Sequence, residues 1–484
     1  MSESLTHKTL KGMFWSFAER FSSQGIHFLV MIVIARLLSP KEFGLIGMLA
    51  IFIAVSQSLI DSGFSQALIR KQNRTEVDKN TVFFFNIIIS LILYLLLFLL
   101  SPWVASFYEE PQLLKIMRII CLVIIIDSFG VVQRANYTMN VDFKTQTKAT
   151  LIASIISGVI GIYLAFQGYG VWALVYQQLV NSLATVIVLW IFSKWCPRIL
   201  YSWESFKNLF GFGSKLMLSG LLDTLYRNIY QLVIGKAFSA ESLGYYANAH
   251  KFSDLPSSNL TSILQRVTYP VLCTIQDEDE RLALAYRKFL RLSAFIIFPL
   301  MCCLSALSFP LIDLVLGEKW HYAAVLLIPI CFQMMWYPIH AINLNLLQVK
   351  GRSDLFLRLE IIKKIIGVTI LLCSLPFGLL TMCYSGIISS LICLGINTFY
   401  TGKLINVGLF KQAKDISATL LLSLALFCIV FGVSTLFSDN IAKLFVGIFI
   451  ACIFFIVSSA MLRMKELTFI KELITEVSHL LRWC

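Results

Sequence analysis

Four runs in this chain are long enough to cross a bilayer and hold no Asp, Glu, Lys or Arg: Phe83 to Leu100, Leu292 to Ile312, Ile416 to Ser438 and Leu444 to Leu462. A bilayer core is spanned by about 20 apolar residues in helical form. No water reaches that depth to satisfy backbone N–H and C=O groups, so such a run folds as a helix with all its hydrogen bonds internal. Two longer stretches, 149–193 and 365–402, have room for two spans each, turned at Gly168-Tyr169-Gly170 and at Pro376-Phe377-Gly378. Composition removes the alternative of a soluble core. Hydrophobic residues make up 58% and charged residues 14%, against roughly 45–50% and 25% in soluble domains. The expected fold class is an all-α polytopic membrane protein of about 14 transmembrane helices.

Within that frame one pattern repeats. From Ala35 the chain reads ARLLSPKEFGLIG and from Gly235 it reads GKAFSAESLGYYA, aligning Ser39 with Ser239, Phe43 with Leu243 and Gly44 with Gly244. Each copy follows a long helix with one basic residue, Arg36 or Lys236, then a tight turn and a new helix at a glycine corner. In a membrane protein, repeated halves imply a transporter with its site between two structural repeats. The expected division is an N-terminal six-helix lobe over 1–205, a second six-helix lobe over 206–410, accessory spans 13 and 14 over 411–463, and a cytoplasmic tail over 464–484. In that tail Phe469, Ile470, Leu473, Ile474, Val477, Leu480 and Leu481 recur at helical spacing, describing an amphipathic helix at the inner leaflet or against the inner loops.

Lys and Arg set the orientation. Inner segments hold Arg70, Lys71, Arg74 and Lys79, then Arg287, Lys288 and Arg291, then Lys350, Arg352, Lys363 and Lys364, while outer connections hold little beyond Lys41, Lys115, Lys236, Lys319 and Lys443. An asymmetry of roughly four to one places both termini in the cytoplasm. The net charge of +13 follows from this rule, so no nucleic-acid partner is expected. No cleavable signal peptide is expected, because MSESLTHKTLKG leads into a span holding Glu19 and Arg20. The twelve cysteines fall mostly in apolar runs without CxxC spacing and read as small buried hydrophobes, not as metal ligands or disulfides.

Ionisable residues inside spans are costly and mark pathways. They cluster in spans one, two, seven and eight: Glu19 and Arg20, then Asp61, then Asp223 and Arg227, then His250, Lys251 and Asp254, the eighth span being interrupted by Pro256 and two serines. The expected site is a central cavity, cationic at Arg20, Arg227 and Lys251, with the carboxylates as balancing or proton-carrying partners. Guanidinium and ammonium groups suit a phosphate-bearing substrate. The competing role is structural, Asp223 and Arg227 being spaced to pair within one helix. Asp61 and Asp127 are candidates for proton or sodium coupling, Asp127 and Glu360 standing alone in their spans. His340 reads as a satisfied interior histidine, and Trp103, Trp172, Trp195, Trp320 and Trp483 as an interfacial belt. Walker, GxSxG and HExxH patterns are missing, so an enzyme or an ATP-driven pump is not expected.

The opening KGMFWSFAERFSSQGIHFLVMIVIARLLSPKEFGLIGM, with DSGFSQALIRK from Asp61, GYGVWALVYQQLV from Gly168 and LQVKGRSDLFLRLEIIKK from Leu347, resembles the polysaccharide-exporting flippases of the multidrug/oligosaccharidyl-lipid/polysaccharide superfamily. The branch it resembles is that of lipopolysaccharide biosynthesis proteins and colanic-acid-type exporters. The resemblance implies two six-helix lobes and a C-terminal pair arranged as a V. It also implies transfer of undecaprenyl-diphosphate-linked oligosaccharide from the cytoplasmic to the periplasmic leaflet of the bacterial inner membrane, for exopolysaccharide or O-antigen synthesis, by alternating access. Arg20 and Lys251 look like the family's basic residues of the first and eighth spans. Expected partners are the lipid-linked oligosaccharide, the bilayer and a polysaccharide polymerase, with the chain itself a monomer and no cofactor. The alternatives are a cation-coupled drug antiporter, which would want an acidic cavity, and a peptidoglycan-precursor flippase.

Overall fold

The computed structural model describes residues 22, 24–61, 63–193 and 195–469, with the backbone alone described at Asp61. Among the described residues there is no strand, and the helices fall into two compact units, Met1–Gly244 and Tyr245–Cys484. The first unit contains α1 (Gln24–Leu37), α2 (Pro40–Asp61), α3 (Phe64–Arg70), α4 (Glu76–Tyr108), α5 (Gln112–Ile120), α6 (Leu122–Ser128), α7 (Val131–Met139), α8 (Phe143–Phe166), α9 (Val171–Phe192) and α10 (Trp203–Ala237). Helix α11 (Ala240–Thr274) starts in the first unit and continues into the second. There it is followed by α12 (Asp279–Ala306), α13 (Ser308–Val315), α14 (His321–Met334), α15 (Tyr337–Val349), α16 (Ser353–Ser374), α17 (Leu379–Ile405), α18 (Leu409–Ser434) and α19 (Asn440–Met461).

Among the described residues, ten helical runs are long and apolar enough to cross a membrane. Helices α10, α11 and α16 have the length, at 35, 35 and 22 residues, yet carry more charge than an apolar span. They coincide with the seventh, eighth and eleventh spans expected from sequence. The lipid-facing surface is plain on α4, where Ile88, Leu91, Ile92, Leu95, Leu99 and Trp103 are all exposed. Their three- and four-residue spacing is one helix face, and an apolar face left outward belongs against acyl chains.

Helix ends are set by short polar side chains. Thr75 and Asp78 form a reciprocal capping box at the start of α4, the Asp78 carboxylate also taking Lys71 Nζ at 2.8 Å. Asp142, Ser202 and Asp439 cap α8, α10 and α19. Each satisfies an amide that a helix cannot satisfy itself. Two expectations need correction. The eighth span is not interrupted at Pro256, because α11 runs unbroken through Pro256 and Pro270. Trp320 is not an interfacial residue: it is fully buried, edge-on to Tyr245.

The repeated sequence folds as a repeated corner. Ser39 donates its N–H and hydroxyl to Glu42 Oε2, at 2.5 and 2.9 Å, and Ser239 Oγ accepts from the Ser242 amide at 3.0 Å. The two corners touch within the first unit. A Cβ on Gly44 would run into the carbonyl of Ala240, and a Cβ on Gly244 into the carbonyl of Pro40. Residues 40 and 240 are themselves equivalents, so the contact is reciprocal about a local two-fold axis. Lys41 and Lys236 are held by consecutive acids of the α4–α5 connection, Glu110 and Glu109, each at 2.9 Å.

In the second unit α18 is welded to its neighbours. Arg287 of α12 makes two hydrogen bonds of 2.6 Å to Asp415. Below it, the buried amides of Asn343 and Gln412 exchange hydrogen bonds of 3.1 and 3.2 Å, joined by Thr401. The start of the tail lies on α12, with Glu466 3.2 Å from Arg291 and the Phe469 ring under Lys288 at 3.7 Å. The amphipathic segment from Ile470 onward lies outside the described residues.

Replacing Gly44 or Gly244 with Ala is expected to cost about 1–3 kcal/mol through overpacking, read as a lower apparent melting temperature in detergent. Gly432→Ala, where a Cβ meets nothing within 4 Å, is expected to leave it unchanged or raise it.

Candidate functional site

The residues singled out by sequence lie in different settings. Glu19 and Arg20 lie outside the described residues, as does the side chain of Asp61. Asp223 and Arg227 form the expected pair on α10, Arg227 Nε donating to Asp223 Oδ2 at 2.7 Å. Both remain open, the Arg227 side chain 72% and the Asp223 side chain 46% exposed, so the guanidinium keeps donors to spare.

In the second unit His250, Lys251 and Asp254 occupy consecutive turns of α11. His250 is half-buried, its ring 5.9 Å from that of Tyr246. Among the described residues Asp254 accepts only a long hydrogen bond from Ser258, 3.4 Å. Lys251 is exposed, and its ammonium has no carboxylate or hydrogen-bond partner among the described residues. It lies about 16 Å along the helix from Ala240. An ammonium at that depth carries a solvation cost that neither a structural ion pair nor a helix end offsets.

Asp127 is not alone, as the sequence suggested. Gln57 of α2 donates to its Oδ2 at 3.1 Å, Arg134 of α7 approaches Oδ1 at 3.4 Å, and Ser182 of α9 donates to the same oxygen. The carboxylate is thus a hub joining four helices, and its side chain is only 14% exposed. Glu360 is likewise paired, with Lys363 at 2.5 Å. His340 is satisfied at both ring nitrogens, by Ser390 at 3.0 Å and Asn397 at 3.1 Å, as expected. Sequence reasoning missed Asn86 and Gln133, fully buried amides with no side-chain hydrogen bond among the described residues. Asn86 gave one signal, an amide within an otherwise apolar run, whereas Gln133 stands beside Arg134 and Asn136 and gave none.

His27 of α1 shares a hydrogen bond of 3.1 Å with Ser154 of α8, which ties the first described helix to the eighth. With polar hubs locking each bundle and charges left exposed on α10 and α11, these membrane-spanning helices have the build of a polytopic membrane transporter. The chain belongs to the polysaccharide biosynthesis protein family, whose model matches residues 33–325. It is 26% identical to the teichuronic acid biosynthesis protein TuaB of Bacillus subtilis over 435 residues, 89% of this chain and 90% of that protein. With the lipopolysaccharide biosynthesis protein WzxC of Escherichia coli it shares 25% identity over 372 residues, 74% of each chain. Among solved structures its fold is similar to that of the lipid II flippase MurJ in an inward closed conformation, with a TM-score of 0.78, 15% identity, and coverage of 93% of this chain and 99% of that one. An inward-facing multidrug resistance MATE family transporter gives a TM-score of 0.59 at 15% identity, over 80% of this chain and 96% of that one. The expected family of polysaccharide biosynthesis proteins and the expected helical fold are therefore met.

Removing the hub is expected to destabilise the first unit. Asp127→Ala strands Gln57, Ser182 and Arg134 and should cost about 1–3 kcal/mol. Ser182→Ala should cost less, and a double-mutant cycle on apparent melting temperature should show the two changes to be non-additive.

Proposed function

We propose that this chain is a flippase that carries a lipid-diphosphate-linked oligosaccharide from the cytoplasmic to the periplasmic leaflet of the bacterial inner membrane by alternating access, supplying exopolysaccharide or O-antigen synthesis. The observation that carries the reading is Lys251, a mid-helix ammonium exposed and without a partner among the described residues. A diphosphate is the ligand that such a group holds by charge-assisted hydrogen bonds. Arg227, with donors left over from Asp223, supports the same chemistry, and Arg20 is the third proposed contact. Glu19, Asp223, His250 and Asp254 would set the field around these cations. The names of TuaB and WzxC, teichuronic acid and lipopolysaccharide biosynthesis proteins, support a polysaccharide precursor as the cargo. The excess of Lys and Arg on one set of loops supports cytoplasmic termini. A polysaccharide polymerase is the proposed consumer of the product, and a proton or sodium gradient the proposed drive.

The test is flipping of a polyprenyl-diphosphate oligosaccharide in proteoliposomes, with proton and sodium gradients imposed in turn. Losing one charge-assisted contact of about 1.5–3 kcal/mol should slow flipping by Lys251→Ala roughly ten- to a hundredfold. Lys251→Arg should keep most of the rate, and Lys414→Ala all of it. Unimpaired flipping by Lys251→Ala sinks the assignment, and extrusion of organic cations in place of lipid overturns the substrate class.

A further inference from the structure

We propose that the seam between α5–α6 and α9 binds one anionic phospholipid, phosphate at one end and an acyl chain along the groove. Two cavities mark this seam. The first, about 490 Å³, is lined by Lys115, Arg118, Ile119, Tyr169, Trp172 and Tyr176. The second, about 420 Å³, is wholly apolar, with Ile125, Ile126 and Phe129 on one wall and Leu183, Ile187 and Ile191 on the other. Residues 172, 176, 183, 187 and 191 recur at helical spacing and so share one face of α9, with Tyr169 in the turn that precedes it. From Arg118 to Phe129 the opposite wall descends about 16 Å, close to the length of an acyl chain.

The upper cavity is electrostatically unbalanced. Lys115 is exposed and has no partner among the described residues. Arg118 spends Nε on Ser101 Oγ at 3.0 Å and lies 4.2 Å over the Phe98 ring, with no ion-pair carboxylate among the described residues. The acids of neighbouring elements are engaged elsewhere: Glu109 with Lys236, Glu110 with Lys41, and Glu42, next to Gly170, with Ser39. Two positive charges therefore face three aromatic rings at the mouth of an apolar groove. A phosphate ester fits between ammonium and guanidinium, glycerol carbons fit the ring faces, and the chain fits the lower groove. Inorganic phosphate would leave that groove unused. Trp190, on the groove's wall, has its one polar atom occupied, Nε1 donating to the Phe129 carbonyl at 3.0 Å, so the groove offers nothing to a polar ligand.

This site is independent of what the chain transports. The full chain, delipidated in detergent, is given phosphatidylglycerol or phosphatidylcholine, and retained lipid is counted by native mass spectrometry. One phosphatidylglycerol per chain is expected to be retained in preference to phosphatidylcholine. Lys115→Glu, on an exposed side chain, should weaken retention about tenfold. Ile187→Trp, which fills the lower groove, should weaken it as well, while Lys414→Glu should not. Equal retention by Lys115→Glu and Ile187→Trp overturns the site. Displacement of the phospholipid by inorganic phosphate, or by undecaprenyl phosphate at lower concentration, overturns its assignment to a phospholipid.

Discussion

The first unit depends on how closely two helix corners can approach. Gly44 lies on the backbone of Ala240 and Gly244 on that of Pro40, and neither position has room for a Cβ. In lipid, helices gain nothing from hiding apolar surface, since the surroundings are equally apolar. Close packing through small residues does the work that the hydrophobic effect does in water. The same corners carry a serine each, Ser239 accepting from the Ser242 amide and Ser39 donating to Glu42, and Lys41 and Lys236 fasten them to Glu110 and Glu109. One short turn, with Glu109 in the left-handed region at φ 59°, thus holds both copies of the repeat.

Against this packing, the polar groups divide by whether they are satisfied. Asp127, Arg287 with Asp415, and the Asn343–Gln412 pair each draw donors and acceptors from several helices. Buried in low dielectric, such groups stabilise when complete and cost heavily when one member is lost. Lys251 and the exposed face of Arg227 belong to the other kind. Their charges are not consumed by the architecture, and under the proposed function those are the charges that would hold the diphosphate.

Much of this was legible in the sequence. Uncharged runs of bilayer length made the fold class inevitable, and the shared Ser39/Ser239 and Gly44/Gly244 pattern located the corners. The Asp223–Arg227 pairing followed from four-residue spacing on one helix. Asp127 was not legible in the same way, because its partners Gln57, Arg134 and Ser182 are 70, 7 and 55 residues away and meet only once four helices have packed. Trp320 misled for a related reason: a tryptophan near a span end reads as interfacial until neighbouring helices cover it. The unbroken course of α11 through Pro256 shows that a proline in a membrane helix need not end it, since surrounding helices can satisfy the freed carbonyl.

The welding of α18 has a bearing on what the smallest working form of this protein can be. By sequence its last two membrane helices look like additions to a twelve-helix transporter. Yet Asp415 neutralises Arg287, and Gln412 completes the hydrogen bonding of Asn343 and Thr401. A chain ending before Leu409 would keep both copies of the repeat and still strand a guanidinium and two buried polar side chains in the second bundle. Helix α18 is thus part of the second bundle's interior, and a chain without it would first have to rebuild what it leaves behind.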